Sequence, residues 1–229
     1  MNSPLALDTL FMLGPVPVTT PVAVTWAIMA LLTLGSILAT RHLTLSPSRF
    51  QTVLELIVEA IDFQIRDTLR VDPAPYRSFL GTLFSYILIA NWSSLIPGAE
   101  PPTAHLETDA ALSLIVFLAA IYYGVRSLGI GGYLKTFAEP TVLMIPLNVM
   151  ETFTRAFSMS VRLFGNIMSG VFVIGLVLSL AGLFVPIPLM ALDLLTGAIQ
   201  AYIFTVLAMV FIASALGARN VSHKKGKPV

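Results

Sequence analysis

The chain has 229 residues, of which 56% are hydrophobic and only 11% charged, with a formal net charge of +1. That balance excludes an ordinary soluble domain of this length and indicates an integral membrane protein. There are no cysteines, and the three histidines His42, His105 and His223 are scattered, so neither disulfides nor a metal site with ligand spacing is expected.

The first twenty residues lack a basic segment, and Gly14, Pro15 and Pro17 interrupt their apolar stretch. A cleaved signal peptide is therefore not expected. A first span is predicted at 22–40, followed directly by Arg41 and His42. At 47–70, Phe50, Val53, Leu54, Ile57, Val58, Ile61 and Ile65 recur at helical spacing opposite Gln51, Glu55, Glu59, Asp62 and Arg66. This is an amphipathic helix, either lying in the membrane interface or packed on a partner subunit. Asp72, Pro73 and Pro75 end it.

A second span is predicted at 78–97, with Asn91 and Trp92 near its far end, and a third at 110–126 after a proline-rich acidic loop. The glycine-rich GIGGYLKTFAEP reads as a polar return. Two longer helices follow at 142–180 and 187–217, too long to stand upright in about 30 Å of hydrocarbon, so a tilted hairpin is expected. A basic tail occupies 218–229. The expectation is a single all-α membrane domain, 1–229, with five crossings and one interfacial helix. Lys and Arg fall between spans one and two, after span three and in the tail, which predicts the N-terminus outside and the C-terminus cytoplasmic.

The chemistry concentrates in the first long helix. From Asn148, the steps to Glu151, Arg155, Arg162, Asn166 and Ser169 are three, four, seven, four and three residues, the spacing of one helical face. A guanidinium in hydrocarbon costs at least about 2.5 to 3.5 kcal/mol, so this stripe requires water, counter-charge or a polar partner. Glu151 and Arg155 read either as an intrahelical ion pair or as part of a conduction path. Arg162 has no acid three or four positions away. Permanently protonated, it suits a fixed charge that attracts a passing carboxylate and favours its ionised form. On the second long helix, Asp193 and Gln200 are seven residues apart. In an antiparallel hairpin Gln200 is placed to hydrogen-bond Arg162. Asp193 lies about 10 Å nearer the outer turn, where it can exchange protons.

The run Arg162-Leu163-Phe164-Gly165-Asn166, with Gln200 in IQAYIFTVLAMVF 34 residues after Asn166, resembles subunit a of the F-type ATP synthases. The SRFQTVLE segment and the PPTA loop extend the resemblance over most of the chain. It implies a stator with two offset half-channels, carrying protons or sodium ions to and from a ring of c subunits. Arg162 matches the family's essential arginine, and Asn166 and Gln200 match polar residues of the ion path. The resemblance further implies peripheral-stalk b subunits and the rest of the synthase as partners, in a bacterial inner membrane. Some positions depart from the pattern: Val171 stands where many relatives have Glu, Asp193 where they often have His, and Asn148 where Glu is common. In the outer loop, His105, Glu107 and Asp109 replace the more usual Asp, Asn and Thr. These changes resemble the divergent N-type branch.

The resulting expectation assigns Asp193, Gln200, His105 and Glu107 to an external half-channel and Asn148, Glu151 and Arg155 to a cytoplasmic one. Asn166 and Ser169 continue the face of Arg162 outward. No P-loop or other nucleotide signature is present, so the chain is not expected to be an enzyme on its own, nor to bind a cofactor or nucleic acid. A self-contained transporter or channel binding an anion at Arg162, and a purely structural anchor, are the alternatives. The absence of an inverted repeat counts against the transporter.

Overall fold

A computed structural model describes residues 9–13, 16–41, 49–96, 101–138, 145–181 and 185–216. The membrane-spanning body is all-α, and five helices are long and apolar enough to cross a bilayer. An antiparallel hairpin, β1 (Thr9–Leu13) and β2 (Val16–Thr19), precedes them, with Phe11 opposite Val18 and Leu13 opposite Val16. The all-α expectation did not include this hairpin. The expected tail at 218–229 lies outside the described residues.

Helix α1 (Thr20–Thr40) carries Pro21 in its first turn, where the missing N–H breaks no helical bond. Only Pro21 and Ile28 of this helix are buried, so the rest of its apolar surface is left for lipid. The amphipathic α2 (Arg49–Leu69) buries Ile65 and Leu69 and leaves Leu56, Ile57 and Phe63 exposed. Arg70, at φ +56°, ends it in the left-handed region, its N–H bonded to the carbonyl of Arg66.

The core lies between α3 (Ala74–Trp92) and α6 (Pro186–Ala215), flanked by one face each of α4 (Leu106–Ala138) and α5 (Ile145–Ala181). Buried positions recur every four residues: Leu112, Val116 and Ala120 on α4, Met159, Leu163 and Ile167 on α5, and Phe204, Ala208 and Ile212 on α6. This is the ridge that helices interdigitate along. Small residues set the distances. A Cβ at Gly197 would stand 3.1 Å from Cβ of Asn91, so glycine lets α6 approach α3 closely.

Contrary to the expected polar return after span three, α4 continues to Ala138. Its axis breaks at Gly129, whose φ of +72° favours glycine, and the segment turns back so that the Tyr133 ring covers Gly124. With 37 residues, α5 is about 55 Å long at helical rise, so crossing about 30 Å of hydrocarbon requires a steep tilt or an end outside.

Among the described residues, α2 is tied to the body by an ion pair to α3 and by a hydrogen bond from Tyr202 of α6 to Gln64. Arg77 Nε donates to Asp62 Oδ1 at 2.5 Å, and Nη2 donates to Oδ2. The hydrogen bond from Arg77 holds the Asp62 carboxyl below the usual carboxylate range. A depressed folded-state value contributes stability above the unfolded value and loses it as pH falls through the folded one. Asp62→Asn should therefore raise amide hydrogen exchange across α2 several-fold at pH 7. Its difference from the parent should close only below the ordinary carboxylate value of about 3.9.

Candidate functional site

The middle of the polar stripe of α5 lines a groove of about 550 Å³, bounded by Glu151, Thr154, Arg155, Ser158 and Arg162, with Leu207 from α6. The two arginines in it differ. Arg155 Nη2 donates to Glu151 at 2.5 Å, Nη1 reaches Ser214 Oγ at 3.4 Å, and the guanidinium lies 5.6 Å from the Phe211 ring centroid. Its charge is spent on its own chain. Arg162 is exposed in the apolar middle of α5, and among the described residues it makes neither hydrogen bond nor ion pair.

The expected bond between Gln200 and Arg162 does not form, and helix register explains why. Gly170 meets Asp193 so closely that a Cβ there would strike the carboxyl, while Arg155 meets Phe211 and Ser214. Between these fixed points Gln200 falls beside Gly165 and Asn166. Arg162 lies about one turn further toward the Arg155 end. Nε2 of Gln200 and Nδ2 of Asn166 are both buried without a hydrogen-bond partner.

Asp193 is buried, 9% exposed, and accepts a hydrogen bond from Ser94 Oγ at 3.1 Å. Beside it, Asn91 joins three elements: its amide donates to the Gly197 carbonyl at 2.9 Å, and Thr103 Oγ1 donates to its Oδ1 at 2.9 Å. Trp92 Nε1 donates to the Leu194 carbonyl at 3.2 Å. The PPTA loop is thereby fastened onto the α3–α6 contact near the C-terminal end of α3, with Pro102–Ala104 forming a 3-10 turn.

The remaining expected residues are less gathered. Asn148 is half-buried on α5, and its carbonyl accepts from Thr152. Ser169 is exposed and donates back to the Asn166 carbonyl at 2.9 Å. His105 precedes α4 and its carbonyl accepts from the N–H groups of Thr108 and Asp109. Glu107 is exposed in the first turn of α4, and no hydrogen bond joins it or His105 to Asp193.

Several polar residues of the site had no place in the sequence expectation. Ser94 and Thr103 anchor Asp193 and Asn91, and Ser113 on α4 meets Ser160 on α5 at 2.6 Å. Asp109 is fully buried, and neither carboxyl oxygen has a partner among the described residues. The available signal was Asn91, a buried amide within a span, which demands partners from neighbouring helices.

Fold and site together define a multi-pass helical membrane protein, with its polar groups gathered where α3, α4, α5 and α6 meet. A sequence profile of the ATP synthase A chain family matches residues 22–213. ATP synthase subunit a 2 of Bradyrhizobium sp. strain BTAi1 is 55% identical over 216 residues, covering 94% of this chain and 97% of that protein. ATP synthase subunit a of Albidiferax ferrireducens is 46% identical, covering 89% of each. ATP synthase subunit a 2 of Acaryochloris marina is 48% identical, covering 83% and 82%. The chain belongs to the ATP synthase A chain family and is a membrane component of an ATP synthase complex.

Asn91→Leu would leave the Gly197 carbonyl and Thr103 hydroxyl without their partner. It should lower stability by about 1–3 kcal/mol, read as a fall in the thermal midpoint of the solubilised protein. Thr103→Val should cost less, because Asn91 keeps its bond to Gly197.

Proposed function

We propose that the chain is the stator of a rotary ion path, passing protons between two offset half-channels and the carboxyls of a c-subunit ring. The observation that carries this reading is Arg162: a permanent charge in the middle of a long apolar helix, exposed and unpaired among the described residues. Such a charge calls for water, a counter-charge or a polar partner beyond the described residues. A ring carboxylate moving past supplies the counter-charge transiently. Arg162 favours the ionised form of that carboxylate, so each one releases its proton before moving on. It also repels protons from crossing directly between the half-channels.

The groove lined by Glu151, Arg155 and Arg162 supports a cytoplasmic approach in which Asn148 also takes part. Asp193 and Gln200, facing α5 from α6, serve the outer approach, with Asn166 and Ser169 beside them and His105 and Glu107 at its mouth. In this reading the N-terminus is outside and the tail cytoplasmic, following the placement of Lys and Arg. The exposed apolar residues of α2 suit the membrane interface, and peripheral-stalk b subunits complete the stator. Val171 and Asp193 support placement in the N-type branch. Nucleotide chemistry belongs to other subunits.

Arg162→Ala in the assembled complex should abolish ATP synthesis and ATP-driven pumping. Normal coupling in that variant would sink the mechanism. Asp193→Asn should slow pumping at least tenfold and Asp193→Glu less; an unchanged rate in the former removes Asp193 from the path. Acidification that persists without added sodium identifies the ion as the proton. Flux through the purified chain without a ring would instead favour a self-contained transporter.

A further inference from the structure

Resting on that reading, we propose that Asp109 is a second proton-exchanging carboxyl of the outer path, connected through bridging water to the amides of Gln200 and Asn166. Helix registers bring the three residues together. Phe117 on α4 packs against Phe211 on α6, their ring centroids 6.3 Å apart. Two turns back along both helices, Asp109 is level with Ile203, within a turn of Gln200. Ser113 bonds Ser160 between antiparallel α4 and α5. One turn outward from there, Asp109 is level with Phe164, two residues from Asn166. Thr103, in the turn that leads into α4, is held by Asn91.

The orphaned atoms in this layer are complementary. Asp109 offers two acceptors with no donor, and Gln200 Nε2 and Asn166 Nδ2 offer two donors with no acceptor. They do not bond one another directly, and polar groups of this kind at a buried site are what ordered water connects. Asp109 then has two tolerable states. As a neutral acid it needs no donor. As an anion it takes hydrogen bonds relayed from the two amides. Alternation between the two takes up one proton from the outer side, forming the O–H bond, and breaks that bond as the proton passes along the water toward the ring. A buried carboxyl with both oxygens free has no structural bond to explain its presence.

The titratable and charged groups within about three turns of the Asp109 level on the surrounding helices are Tyr86 of α3, Arg155 and Arg162 of α5, Asp193 and Tyr202 of α6, and His105 and Glu107 on its own segment; α1 carries none. Tyr86 is committed elsewhere, its hydroxyl donating to Thr25 Oγ1 at 3.3 Å.

The test uses the complete reconstituted synthase. Asp109→Asn should slow ATP-driven acidification about tenfold and flatten its dependence on outer pH, and Asp109→Glu should restore part of both. In infrared spectra, the band of a protonated carboxyl should respond to outer pH and be lost in Asp109→Asn. An unchanged rate and pH profile in Asp109→Asn overturns the inference. If that variant fails to assemble, Asp109→Glu and the parent's spectrum decide: a pH-responsive buried-carboxyl band displaced by Glu supports it, and no such band overturns it. Loss of coupling in Arg162→Ala with normal Asp109→Asn rejects this inference alone. Normal coupling in Arg162→Ala rejects the function it rests on.

Discussion

A permanent charge in hydrocarbon is the constraint on which the rest of the structure depends. Removing a guanidinium from water costs several kcal/mol, and the chain meets that cost differently at its two membrane arginines. Arg155 is compensated internally by Glu151, Ser214 and the Phe211 ring. Arg162 has no such partner among the described residues. A helix carrying such a residue cannot sit at the centre of the bundle. Accordingly α5 buries one ridge, Met159, Ser160, Leu163 and Ile167, and exposes Phe153, Phe157 and Val161.

The remaining helices position that one. α3 and α6 form the packed centre, and Asn91 locks them with a side chain rather than with apolar contact alone. Gly197 and Gly170 admit the close approaches that place Asn91 and Asp193 against their neighbours. Because the PPTA turn is bonded to Asn91, the outer loop, the central helix pair and the start of α4 form one polar assembly. The layer is stiff where hydrogen bonds are complete, at Asn91 and Thr103. Its orphaned donors and acceptors lie at Gln200, Asn166 and Asp109.

Much of this was legible in the sequence, for definite reasons. Helical periodicity marked the stripe from Asn148 to Ser169, and the cost of charge in lipid singled out Arg162 before any coordinates. Hydropathy found the five long helices. It did not separate α1, which faces lipid, from α6, which is central, since both are apolar all round; α6 is distinguished by Gly197, Ala201, Thr205 and Ala208, small residues that allow close packing. The missing bond between Gln200 and Arg162 turns on a one-turn offset that residue spacing within single helices does not encode. Asp109 was noted only as a departure in the loop before α4, and its burial was not anticipated because an acid in the first turn of a helix ordinarily complements the helix dipole at the surface. Its burial arises from the packing of the PPTA turn and of α5 over α4, a property of the assembled bundle.

The contrast between the arginines also bears on why the stripe is spaced as it is. An acid placed one turn from Arg162, as Glu151 is from Arg155, would neutralise it within the helix. The six residues between Arg155 and Arg162 contain no acid, and the next polar residue after Arg162 is Asn166, which is neutral. The carboxyls on the facing helices, Asp193 and Asp109, lie toward the PPTA-turn end of the bundle; Ser94 holds the first, and the second has no partner among the described residues. Excluding counter-charges from the neighbourhood costs the isolated chain stability, and it preserves a full positive charge for a carboxylate that arrives, interacts and leaves. A guanidinium already neutralised would bind that visitor weakly and have little influence on its proton.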